Sequence, residues 1–112
     1  MNIFKEPTEP TFNKAGIVGR IFANIPIEST EFIIIETEEG HETTIIEHEV
    51  DFNYYILEGS GFFEINNIKQ ECEKGNLIVI PKGSKFTYKG KLRMLLVCTP
   101  PFYPEQEETL ES

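Results

Sequence analysis

The rest of the chain arranges itself around Thr43-Thr44-Ile45-Ile46-Glu47-His48-Glu49-Val50-Asp51-Phe52-Asn53-Tyr54-Tyr55-Ile56-Leu57-Glu58-Gly59-Ser60-Gly61. It reads as a strand, a short connection, a second strand and a glycine turn. Tyr54 to Leu57 are aromatic and aliphatic, and Glu58-Gly59-Ser60-Gly61 supplies the residues on which a half-buried strand turns. Outward from this stretch, Ile17 to Ala23, Glu31 to Thr37, Ile68 to Glu73, Leu77 to Ile80, Lys85 to Tyr88 and Leu92 to Cys98 also read as strands rich in β-branched or aromatic residues. Turn signals separate them, among them Glu39-Gly40, Asn66-Asn67, Gly75-Asn76, Pro81-Lys82-Gly83 and Lys89-Gly90. No segment carries a helical period. The chain is therefore expected to be all-β, an antiparallel sandwich or barrel with little or no helix.

At 112 residues there is room for one core, and 39% hydrophobic residues, with nine Phe and four Tyr, are enough to fill it. Residues 1–15, with Pro7 and Pro10, read as an N-terminal arm lying along a sheet edge. Residues 16–101 form the barrel domain, and 102–112 an acidic tail. The prolines at 100, 101 and 104 point to a solvated tail, in which Pro104 opens at most one helical turn with acids behind it. Nineteen acidic against ten basic residues leave a net charge of −9, which argues against nucleic acid or an anionic membrane as partner. The N-terminal stretch lacks the pattern of a secretory signal, so a cytoplasmic location is expected. Cys72 and Cys98 read as reduced thiols packed as small hydrophobes. Phe32 to Ile35 and Met94 to Val97 are apolar on both faces, as in strands covered on one side by the core and on the other by another layer or subunit, and a homodimer is expected.

Two spacings carry a resemblance. Gly75, Pro81 and Gly83 match the second motif of the cupin superfamily, and Tyr54 to Gly61 resembles the end of its first. Thr99-Pro100-Pro101 is similar to the sequence that often closes such domains. The resemblance implies an antiparallel jelly-roll β-barrel. It further implies that the positions of the family's metal ligands are taken here by Ile46, His48, Phe52 and Phe86, counted from Gly59 and Gly83. One imidazole with two phenyl groups is a poor donor set, so no cofactor is expected. A metal held by His48 with Asp51 stays open as the alternative.

Ile46 and His48 share one face of a period-2 strand and are expected to point inward, with Glu47 and Glu49 facing the other way. His41 stands seven residues before His48, an odd separation that places the two on opposite faces of a continuous strand. The expected pocket is apolar, walled by Ile46, Phe52 and Phe86, with His48, Tyr54 and Tyr88 as its polar groups and Arg93 at its mouth. Three functions fit. One is a binding site for a small molecule. Another is a metal-independent isomerase, epimerase or lyase on a sugar or small carbonyl compound, with His48 as base and a tyrosine as acid, as in metal-free members of the superfamily. The third is a structural or oligomerising module with a filled barrel.

Overall fold

Two long strands organise the chain. In the computed structural model, which describes residues 2–110, β5 (Asp51–Ile65) and β8 (Lys85–Thr99) pair antiparallel from Asp51↔Thr99 to Ile65↔Phe86. The sequence pattern places a turn within each, at Gly59-Ser60-Gly61 and Lys89-Gly90. Here the glycines do something else. Gly61 and Gly90 face each other across the ribbon. A Cβ on Gly61 would lie 2.0 Å from the Lys89 carbonyl oxygen, and one on Gly90, whose φ is +125°, would lie 2.5 Å from that of Ser60. Glycine is thus needed for close approach, and both strands bend together without breaking. A register shift between Ile56 and Glu58 adds to the bend.

The remaining strands are β1 (Phe12–Lys14), β2 (Ile17–Ile21), β3 (Glu31–Thr37), β4 (Thr44–Glu47), β6 (Ile68–Glu73), β7 (Leu77–Ile80) and β9 (Glu107–Leu110). At one end of the ribbon β3 pairs with β8 and β7 with β5, while β2 and β1 extend the sheet beyond β3. At the other end β4 pairs with β8, β9 with β4, and β6 with β5. The two wings close over one interior, in which Ile33 and Ile35 of the first and Ile45 of the second belong to the same core. The result is the expected antiparallel jelly roll, and among the described residues its helical content is a single 3-10 turn at Pro104–Gln106.

That turn corrects the reading of the tail. The prolines end β8, but the chain then turns back and Glu107–Leu110 adds to the free edge of β4, pairing Glu47 with Glu107 and Thr44 with Leu110. Backbone hydrogen bonding to an otherwise open edge outweighs the solvation of four residues carrying two acids. Glu111, also counted as tail, lies outside the described residues. The N-terminal arm supplies the short edge strand β1, as its prolines suggest. On the outer face of the first wing Tyr55, Leu77 and Val79 are exposed beside half-buried Leu95 and Val97. Among the described residues no helix is long and apolar enough to cross a membrane.

Candidate functional site

Alternation gives a residue's face only while the strand is continuous. The chain bends at His48-Glu49, and Val50 is the next buried residue after Glu47. This three-residue step, odd where the alternation is even, inverts the phase between β4 and β5. Ile45 and Glu47 therefore face the interior, at 3% and 2% exposure, and the expected inward placement of Ile46 and His48 is corrected to outward. The His48 side chain is half exposed, with its Nε2 2.8 Å from Oε1 of Glu108 on β9. Asp51 does not join it, since its carboxylate accepts the Lys82 N–H at 2.8 Å. Arg93 also lies outside, paired with Glu6 and Glu36. A groove of about 900 Å³ runs past Arg93, Arg20 and Glu36 on that outer surface, and it borders none of the interior aromatics.

Phe52, Tyr54, Phe86 and Tyr88 are all inside, because within β5 and β8 the parity holds at these positions. Phe52 and Phe86 pack at 5.9 Å between ring centroids, and Tyr54 meets Tyr88 at 5.5 Å. Each buried ring contributes roughly 1.5–3 kcal/mol. Burial raises the pKa of both tyrosines, so both stay neutral O–H donors. The Tyr88 hydroxyl is fully buried and has no well-aligned hydrogen-bond partner among the described residues; the Tyr54 hydroxyl is near enough to affect its ionisation. A buried hydroxyl left unpaired costs about 1–3 kcal/mol, which the fold has to offset elsewhere.

The residue that completes the cluster is His41, which the sequence reading set aside. It is 6% exposed and its ring meets Tyr88 edge-on at 5.7 Å. The segment that places it is tied down on both sides. Gly40 bridges Lys89, and the His41 N–H donates to the Tyr88 carbonyl at 2.9 Å. Its Nδ1 lies 2.8 Å from the Thr43 carbonyl oxygen. The Thr43 N–H and hydroxyl stand farther from Nδ1, both at 3.3 Å, and a carbonyl only accepts, so the shorter contact puts the proton on Nδ1 and leaves Nε2 its lone pair. Burial lowers the His41 pKa, opposed by the Thr43 hydrogen bond and by Glu107, and reinforced by Lys89 and Lys14. A signal for it was present: the odd separation from His48 put one histidine inside, and the phase change selected the other.

Glu47 is the second interior group missed. One carboxyl oxygen accepts from the Gln106 amide, and the other is buried with no partner among the described residues. Burial raises its pKa to about 9, with the Glu107 carboxyl adding to the shift and Gln106 and Lys14 opposing it. At neutral pH Glu47 is therefore a carboxylic acid.

The positions that the resemblance assigned to metal ligands do not converge. Two face outward and two are phenyl rings, a set unsuited to a divalent ion. Among the described residues no group of three or more His, Cys, Asp or Glu side chains is gathered closely enough to hold one.

The fold has counterparts among solved structures. A Tyr→Phe variant of Streptomyces PAC13 with uridine superposes with a TM-score of 0.88 at 24% identity, over 99% of this chain and 93% of that one. The cupin domain of Schizosaccharomyces pombe Cnp3 matches with a TM-score of 0.67 at 16% identity, over 81% of this chain and 70% of that one. This chain has the cupin fold. PAC13 itself is described as a nucleoside dehydratase, and its uridine complexes include a second Tyr→Phe and a His→Gln variant. No family model matches this chain. By sequence it is 39% identical over 62 residues to an uncharacterised protein of Methanocaldococcus jannaschii, a match covering 52% of this chain and only half of that protein.

Proposed function

We propose that this small cupin is a lyase that removes water from a hydroxylated carbonyl compound, with a nucleoside sugar as the best-supported substrate class and His41 as the base. The observation that carries the reading is a buried, neutral imidazole with a free Nε2 lone pair beside the unpartnered hydroxyl of Tyr88. A neutral imidazole takes a proton from carbon only where that carbon is acidified, which calls for an adjacent carbonyl. Tyr54 and Tyr88 then donate hydrogen bonds to the oxygen on which negative charge develops. The histidine and two tyrosines changed in the PAC13 variants have the same residue types, and the same spacing along the chain, as His41, Tyr54 and Tyr88.

The test pairs binding with turnover. Uridine titrated into the protein should perturb the His41 imidazole resonances, and a uridine oxidised to a carbonyl on its ribose should lose water with the intact chain but not with His41→Gln. Failure of both binding and turnover would end this reading. We also propose that two copies pair through the apolar face of Tyr55, Leu77 and Val79. Sedimentation showing only monomer at micromolar concentration would reject that pairing.

A further inference from the structure

We infer that Glu47 is the proton donor to the departing hydroxyl, with Glu107 as the carboxylate that accepts its hydrogen bond; this rests on the dehydratase reading above. Glu47 is 2% exposed, its Oε1 takes the Gln106 amide, and its Oε2 has no donor to accept from. An ionised carboxylate in that position would leave a buried charge with one oxygen unpaired. A protonated one needs an acceptor, and Glu107 is its direct cross-strand partner on β9. Two carboxyls that share a site hold one proton between them.

The placement connects this pair to the site. The charged and titratable groups around Glu47 are Lys14 on β1, Tyr54 on β5, Cys98 on β8 and Glu107 on β9, and Glu47 acts on the ionisation of both Tyr54 and Cys98. His41 feels two of the same groups, Lys14 and Glu107. The barrel thus holds a proton-free base and a proton-bearing acid around the tyrosine cluster, which is the complementary pair an elimination requires.

The step balances without a further reagent. His41 Nε2 takes the proton from the carbon next to the carbonyl, and the C–H electron pair becomes the new C=C bond. The C–O bond breaks, and its electron pair leaves with the hydroxyl, which takes the Glu47 proton and departs as water. The imidazolium proton then returns the Glu47–Glu107 pair to its starting state.

Two measurements test this. In the full chain labelled with carboxyl-¹³C glutamate, the resonance absent from Glu47→Gln should report a protonated carboxyl at neutral pH, and Glu107→Gln should move its titration to lower pH. An ionised Glu47 at neutral pH overturns the proposal. With the ribose-oxidised uridine in D₂O, Glu47→Gln should still exchange the acidic C–H at the wild-type rate while water loss falls by about 10²–10⁴-fold. His41→Gln should lose both. A merely structural role would depress exchange and elimination together and overturns the proposal, as does undiminished elimination in Glu47→Gln. A wild-type chain that neither exchanges nor eliminates refutes the dehydratase reading and the donor role with it, whereas the carboxyl resonance still decides where the proton sits.

Discussion

The two histidines stand seven residues apart and have carboxyl groups near them, yet they live in different solvents. His48 meets Glu108 across β4 and β9 with both side chains half in water. His41 lies inside, edge-on to Tyr88, with Glu107 close enough to raise its pKa. In water the carboxylate pairs with the imidazole and little follows, because solvent already satisfied both. In the interior, desolvation dominates and separates the roles, so that the histidine loses its proton and Glu47 keeps one.

The contrast is most easily broken at His41. His41→Gln should lower turnover by about 10²–10⁴-fold while His48→Gln leaves it unchanged, read as water loss from ribose-oxidised uridine. Equal losses at both would erase the distinction between inside and outside.

Tyr88→Phe sharpens it from another direction. Deleting an unpartnered buried hydroxyl should stabilise the fold by about 1–3 kcal/mol in urea titrations while turnover falls. A loss of stability would show that the hydroxyl is paired.

Acidity gives the next effect. The folded protein holds the Glu47 proton up to about pH 9, whereas an ordinary glutamate releases it near 4.5. Between those values the folded state binds the extra proton, so stability is full below 4.5 and falls as pH rises to about 9. Glu47→Gln should flatten that slope, as followed by urea midpoints across the range. An unchanged slope would mean that another group titrates. The smallest effect is expected at the surface, where His48→Ala should cost about 0.2–1 kcal/mol and less still at high salt.

Much of this was legible from residues alone. The strands at Glu31–Thr37, Ile68–Glu73 and Leu77–Ile80 follow their patterns to the residue, and the inward parity of Phe52 with Tyr54 and of Phe86 with Tyr88 holds because each pair lies within one unbroken strand segment. Gly61 and Gly90 were misread as turns because a glycine looks the same whether it reverses a strand or lets two strands touch. The tail was misread because the pairing of Glu107 with Glu47 joins residues far apart in the chain, and local composition carries no trace of it.

The architecture, then, follows from the chain's own order, in which short β-patterned runs and the glycine and proline spacing specify an antiparallel barrel before any long-range contact is known. Only the tertiary structure decided which polar groups are inside. A two-residue bend at His48-Glu49 shifts the alternation by one, which turns His48 out and Glu47 in, and the Gly40–Lys89 bridge carries His41 to Tyr88. Period-2 alternation is a local rule, and its phase across a bend is set by the strand pairing on either side, here β4 with β8 and β9 and β5 with β8.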